Sequence, residues 1–213
     1  MLLDRRRVKF WQKWVFGIMA ILMALWLVSI PVSRWVGCTG EQQATSTLDE
    51  RIAALEGRIT ASPGDLEARL QLAESYVRRA NQQAEGSAGR TSDLEAAAAA
   101  YEAYIKKLAR TKGTKAEVKQ AERRQVAALV DLAKVYLMLG DYERVTNVYG
   151  RITALRPNDA EYFYDMGRVA ISADDTDTAL LAFGRYLELA PDSPQADQVR
   201  RWIEEHSPGA SAQ

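Results

Sequence analysis

The hydrophobic pattern of the chain begins with an uncharged run from Trp14 to Ser33. Ten of its twenty residues are Leu, Ile, Val or Phe, and about 20 apolar residues in a helix span the hydrocarbon core of a bilayer. The run therefore predicts a transmembrane helix over 14–33. Five basic residues precede it and only Arg34 follows closely. This asymmetry predicts a cytoplasmic segment over 1–13, with the remaining chain outside the cytoplasmic membrane.

A second interpretation of the same region involves Cys38. The sequence Trp35-Val36-Gly37-Cys38 resembles a bacterial lipobox, in which Cys38 would be lipidated after cleavage. The apolar region of a cleaved signal peptide is about 7–15 residues long, and this run is longer, which favours an uncleaved anchor. Under both interpretations a short polar tether over 34–46 holds the rest of the chain close to the lipid surface.

From residue 47 onward, apolar positions recur at helical spacing. Leu48, Ile52, Leu55 and Ile59 predict a leading helix over 47–61. The sequence Ser62-Pro63-Gly64-Asp65 ends that helix and begins the next one.

The second half of the chain repeats with a period of 34 residues, which indicates a helical repeat architecture. The paired positions are Leu132 and Met166, Ala133 and Gly167, Val145 and Ala179, Tyr149 and Phe183, and Pro157 and Pro191. With these residues the chain resembles the tetratricopeptide repeat (TPR) family, whose pattern is Leu-Gly or Leu-Ala, then Tyr, then Ala-x3-Phe, then Pro. The resemblance assigns one repeat to 126–159 and another to 160–193.

An earlier, irregular copy of the repeat occupies 62–111, and a polar loop over 81–92 is predicted inside it. A basic linker and helix extension follow over 112–125, where Thr114 and Glu117 have capping-box spacing. After the last repeat, an amphipathic pattern over 194–206 predicts a capping helix, and 207–213 is predicted to be a disordered tail. The expected fold is all-α: a transmembrane helix, then a TPR-type α-solenoid of about three hairpins with a C-terminal cap.

Small and large apolar side chains alternate along these repeats. Because one hairpin cannot bury its apolar face alone, the large residues should lie between stacked layers. The small residues Ala133, Gly167 and Ala179 should let helices approach closely. The predicted core residues are Leu132, Tyr136, Tyr149, Phe163, Met166 and Phe183.

A second stripe on the first helix of each repeat is offset from the buried one. By family resemblance and helical spacing it faces an inner groove, where apolar and charged side chains suit a peptide ligand. The candidate groove residues are Leu70, Glu74, Val130, Lys134, Leu137, Tyr164, Arg168 and Ile171. The Lys and Asn clamp with which some TPR domains grip a terminal carboxylate is absent from these positions.

Composition and charge exclude several function classes. The chain has 28 basic and 28 acidic residues, and residues 1–40 hold six of the basic ones and one acid. The remaining 22 basic and 27 acidic residues give 41–213 a net charge of −5, which argues against nucleic-acid binding. With one Cys and one His, His206, we expect no metal site, cofactor or catalytic residue.

The TPR resemblance implies a non-catalytic adaptor that binds a protein or peptide partner, and the apolar run over 14–33 predicts that it is anchored in the cytoplasmic membrane with the repeats outside. One alternative is a structural subunit of an envelope or secretion complex. Another is suggested by the segment from Ile52 to Asp65, which resembles the entry to the TPR domain of cytochrome c maturation factors. These factors receive apocytochrome tails.

Overall fold

A computed structural model describes residues 47–207, and every regular element in that range is an α-helix. The all-α class is therefore confirmed for this part of the chain. The eight helices are α1 (47–61), α2 (Leu66–Ala80), α3 (Ala88–Leu108), α4 (Lys115–Leu139), α5 (Tyr142–Leu155), α6 (Ala160–Ser172), α7 (Thr176–Leu189) and α8 (Ala196–His206).

Several predictions concern residues outside this range: the transmembrane helix over 14–33, its flanks 1–13 and 34–46, Cys38, and the tail beyond 207. They stay predictions. Among residues 47–207, none of the helices has both the length and the hydrophobicity needed to cross a bilayer.

From α2 to α8, each helix packs against the next one along the chain. Helices α2 and α3, α4 and α5, and α6 and α7 form three hairpins, and α3, α5 and α7 each contact the helix that follows. Such nearest-neighbour packing is the property of a helical repeat array. It brings the last hairpin, α6 and α7, next to the C-terminal helix α8.

The core runs between these layers. Leu129, Leu132, Val145 and Ile152 are fully buried, and burial of one such side chain is worth about 1.5–3 kcal/mol. The predicted core residues Leu132, Tyr136 and Phe183 are buried. The other three, Tyr149, Phe163 and Met166, are half-buried and complete the packing at the edges.

Five of the seven helices from α2 to α8 begin at a side-chain cap, and α6 and α8 do not. The carboxylates of Asp65, Asp141 and Asp175 accept hydrogen bonds from the backbone N–H groups three residues further on, at 2.8, 2.9 and 3.0 Å. The capping box predicted at Thr114 and Glu117 is confirmed, and α4 begins directly after it. These caps satisfy backbone donors that have no partner inside the helix.

The inserted loop is shorter than the predicted 81–92, because α3 begins at Ala88. Ser87 caps this helix by accepting from the backbone N–H of Arg90 at 3.3 Å. Arg90, in the first turn, also donates to the Ala80 carbonyl of α2 at 3.1 Å. One turn further on, Asp93 is buried and accepts from Arg79 at 2.6 and 2.9 Å and from Gln83 at 2.6 Å, which gives it the partners that a buried carboxylate needs.

Candidate functional site

A groove of about 490 Å³ lies between α6 and α8, with α7 as its floor. The side chains that line it combine aromatic, apolar and charged groups. They are Tyr164, Arg168, Ile171 and Ser172 of α6, Phe183 of α7, and Gln198, Val199, Arg201, Trp202 and Glu205 of α8. The groove is open to solvent, so an extended ligand has access along its length.

The α6 wall of the groove follows from helical spacing. Tyr164, Arg168 and Ile171 are four and three residues apart, which places them on one face of the helix. Ile171 is among the exposed large apolar residues, with 39% of its surface accessible. Arg168 is exposed as well, and its guanidinium carbon lies 5.7 Å from the centre of the Tyr164 ring. This wall therefore offers apolar area and a positive charge side by side.

The α8 wall is held in place by the connection after α7. The hydroxyl of Tyr186, which is buried, hydrogen-bonds the Ser193 hydroxyl at 2.6 Å and donates to Gln195 Oε1 at 3.2 Å. Arg200 donates to the Pro191 carbonyl at 2.6 Å. These bonds tie both sides of the turn to α8, so the position of its groove face is defined.

Aromatic rings form the floor and one side of the groove. The Phe183 ring lies 6.0 Å from that of Tyr164 and 5.2 Å from that of Trp202, which it meets edge to face. Tyr164 also contacts Tyr186, with ring centres 5.1 Å apart. Because such pairs add roughly 0.5–1.5 kcal/mol to area burial, the groove is built on a rigid aromatic layer.

His206 takes part in this layer from the outside. Its ring stacks on Trp202 at 4.3 Å, and its Nδ1 lies 2.8 Å from the Trp202 carbonyl oxygen. The imidazole therefore supports the groove wall. Among residues 47–207, no group of three or more His, Cys, Asp or Glu side chains forms a metal site.

The structure brings together three of the eight predicted groove residues, Tyr164, Arg168 and Ile171. The other five line no part of this groove. Leu70 and Val130 are half-buried against the core, whereas Glu74, Lys134 and Leu137 are exposed on α2 and α4. Lys134 pairs with Asp131 on its own helix at 2.8 Å.

Sequence reasoning missed the contribution of α8. The amphipathic pattern predicts that Arg201 and Glu205 face water on a capping helix. Both are exposed, as predicted, and both also line the groove, which is open to solvent. The signal was present in the spacing: Gln198, Arg201, Trp202 and Glu205 follow the i, i+3, i+4, i+7 pattern of one helix face. What the sequence lacked was the angle at which α8 packs on α7.

A second depression, of about 850 Å³, is lined mainly by α5, with Glu102 of α3, Tyr136 of α4, Met166 of α6 and Thr178 of α7 at its sides. Most of its charged groups have partners, and Glu143 is the exception among the residues that line it. Arg144 pairs with Glu95 and Asp141, and Glu102 pairs with Arg151. This surface therefore offers a ligand fewer available charges than the α6–α8 groove does.

Stacked helical hairpins with an open groove define a helical-repeat protein. Residues 132–204 match the family model described as "Tetratricopeptide repeat". Residues 132–204 therefore carry tetratricopeptide repeats. TPR domains are interaction modules that bind protein partners, and the fold is typically a non-catalytic scaffold.

Among curated proteins none matches this chain. The solved structures similar to it include a crystal structure of MamA, with 18% identity and a TM-score of 0.47 over 79% of this chain and 84% of that one. A second MamA structure has 19% identity and a TM-score of 0.29 over 73% and 88%. A thermophilic TPR protein in Thermus thermophilus has 16% identity and a TM-score of 0.30 over 76% and 92%.

Proposed function

We propose that this chain is a membrane-anchored, non-catalytic adaptor that holds an extended or helical segment of a partner protein in the α6–α8 groove. One observation carries the proposal: Tyr164, Arg168 and Ile171 of α6 face Trp202 of α8 across a single open groove. An apolar surface bordered by charges is the usual character of a peptide-binding groove.

The size and lining of the groove support a peptide ligand. A volume of about 490 Å³ lies within the roughly 300–1,000 Å³ of small-molecule sites, so the groove has room for a few side chains of a partner segment. Ile171 and the rings of Tyr164 and Trp202 provide contacts for apolar side chains, whereas Arg168 provides an ionic contact. A partner segment would cover apolar area that otherwise lies in water.

The groove is tested by photo-crosslinking in native membranes. A photoreactive phenylalanine analogue replaces Ile171 in one variant and Leu181 in a matched control, since Leu181 is 77% exposed on α7 and lies outside the groove. We expect a defined crosslinked product from position 171 and none from position 181. Equal crosslinking at both positions, or crosslinking at 181 alone, contradicts the groove proposal.

The membrane part of the proposal rests on the sequence. The uncharged run over 14–33 supports a single-pass anchor with residues 1–13 inside, and the tether over 34–46 then presents the repeats on the outer side. Protease added to spheroplasts should digest the repeats, and complete protection would contradict this orientation. Intact-mass measurement separates the uncleaved anchor from lipidation at Cys38.

A second candidate function is a structural subunit of an envelope or secretion complex. It is favoured by basic residues outside the groove that are exposed and make no ion pair in the described part of the chain: Lys112, Lys115, Lys119, Arg123 and Arg124. Replacing residues 1–33 with an unrelated anchor distinguishes the two functions. Loss of complex assembly with unchanged crosslinking at position 171 would favour the structural subunit.

A further inference from the structure

Two arginines in the α6–α8 groove differ from the other arginines on the helices around them. Arg144, Arg151, Arg185 and Arg200 each form an ion pair. The Arg156 guanidinium, at the end of α5, donates to a backbone carbonyl.

The remaining arginines of α5–α8 are Arg168 and Arg201. Both are exposed, and neither guanidinium has an ion pair or hydrogen bond to any residue between 47 and 207. Both line the same groove from opposite walls. One acid, Glu205, lies with them, so the lining has two positive charges and one negative charge.

We infer that the groove takes a partner segment in which Asp or Glu side chains lie next to apolar or aromatic ones. This inference rests on the proposed function and specifies its ligand. The carboxylates of the segment pair with Arg168 and Arg201, and its apolar side chains lie on Tyr164, Ile171 and Trp202. A guanidinium binds a carboxylate through two parallel hydrogen bonds, which fixes the register of the segment.

Charge complementarity disfavours a basic partner segment. A basic segment would bring like charges against Arg168 and Arg201 with only Glu205 to compensate, and such repulsion disfavours binding. Glu205 partly offsets the two arginines. Because its carboxylate repels an acidic segment, we expect the segment to bind less tightly than it would if Arg168 and Arg201 were the only charged residues of the groove.

The experiment uses three fluorescent peptides with blocked termini, so that no terminal carboxylate contributes. In the first, glutamates alternate with leucine and tryptophan; glutamine replaces every glutamate in the second, and lysine in the third. Binding to the full chain in detergent is measured by fluorescence anisotropy. We expect the glutamate peptide to bind more tightly than the glutamine peptide, and the lysine peptide to bind most weakly.

Substitutions then assign the effect to the groove. Arg168→Gln and Arg201→Gln should each weaken the glutamate peptide roughly fivefold, since an exposed ion pair contributes up to about 1 kcal/mol. Neither should change binding of the glutamine peptide. Glu205→Gln should strengthen binding of the glutamate peptide. The matched control is Arg78→Gln, because Arg78 is exposed on α2, has no ion pair among residues 47–207 and lies outside the groove.

Equal affinity for the glutamate and glutamine peptides would overturn the inference. So would binding of none of the three probes while Ile171 still crosslinks to a partner in membranes, because the proposed function would then stand with a ligand of another class. Loss of the Ile171 crosslink would instead contradict the proposed function itself. The inference would also be overturned if Arg78→Gln weakened binding of the glutamate peptide as much as Arg168→Gln does, because binding would then depend on the overall charge of the protein.

Discussion

Gly167 on α6 lies directly against the ring of Phe183 on α7. A Cβ atom at position 167 would lie 2.5 Å from both Cδ1 and Cε1 of that ring. This contact sets the separation of the two helices in the last hairpin. It also places the Phe183 ring beneath the groove, where it meets Tyr164 and Trp202. A small residue in the repeat pattern thus shapes the surface that we propose binds a partner.

Gly167→Ala should therefore destabilise the fold. Alanine gains up to about 1 kcal/mol in helix propensity over glycine, but overpacking in a filled core costs typically 1–3 kcal/mol. The Phe183 ring is buried and has little room to move, so the steric cost should exceed the gain. We expect a net loss of about 1 kcal/mol, measured by urea unfolding followed by circular dichroism.

The matched control is Gly184→Ala on α7. A Cβ at position 184 meets nothing within 4 Å, so the helix-propensity gain should appear without a steric cost and raise the free energy of unfolding. If both substitutions change stability in the same direction, close packing at Gly167 is not what determines the helix separation.

Much of this architecture could be predicted from the sequence, because the relevant information is local. The 34-residue period fixes which residues face the core, and Leu132 and Phe183 are buried as predicted. Thr114 and Glu117 fix the start of α4 within one turn. The start of α3 lies earlier than the predicted loop allows: Ser87 caps the helix, and the Arg90 guanidinium donates to the Ala80 carbonyl at the end of α2, a contact between helices that spacing within one helix does not reveal.

Part of the groove could also be predicted, because the spacing of residues along one helix is local information. Spacing along α6 placed Tyr164, Arg168 and Ile171 on one face, and this face lines the groove. Whether a face is covered or open depends on the packing of a different helix. The sequence of α8 predicts that Arg201 and Glu205 are exposed, as they are, but it does not give the crossing angle that places them beside the α6 face.

The ion pair of Arg79 and Asp93 should be worth far more than a surface pair. The Asp93 side chain is 7% exposed, and removal of its cation leaves a buried carboxylate whose remaining side-chain donor is the Gln83 amide. Arg79→Met should therefore cost about 3 kcal/mol in urea unfolding. The comparison is Arg151→Met, because the Arg151–Glu102 pair is 35% and 40% exposed and should be worth at most about 1 kcal/mol. Equal losses would contradict the role assigned to burial.

Asp141, the N-cap of α5, should make the free energy of unfolding depend on pH in the acidic range. The Asp141 carboxylate accepts a hydrogen bond from the Arg144 backbone N–H and a second one from the Arg144 side chain. Both lower the pKa of Asp141 below its usual value, the backbone bond more strongly. Because the folded-state pKa lies below the unfolded-state value of about 3.9, the carboxylate stabilises the fold above that pH. This contribution is lost as pH falls through the folded-state pKa.

Two substitutions at Asp141 test the origin of this dependence. Asp141→Asn keeps a capping oxygen and should cost less at neutral pH than Asp141→Ala, which should cost about 0.5–2 kcal/mol. The stability difference between wild type and Asp141→Asn should shrink as the wild-type carboxylate is protonated. Urea unfolding at a series of pH values measures it, and a difference that is constant with pH would show that the charge of Asp141 is not involved.

Trp202 should support both the stability of the last hairpin and the shape of the groove. Its indole covers the buried Phe183 ring edge to face and stacks on His206. Trp202→Ala should lower the free energy of unfolding by about 2 kcal/mol through lost burial and ring contacts.

The same substitution should also abolish crosslinking from position 171, because one wall of the groove is removed. Trp202→Phe should retain most of both properties, whereas Leu181→Ala should change stability by less than about 0.5 kcal/mol. Full crosslinking in a folded Trp202→Ala variant would show that the Trp202 side chain is not needed to hold the partner at Ile171.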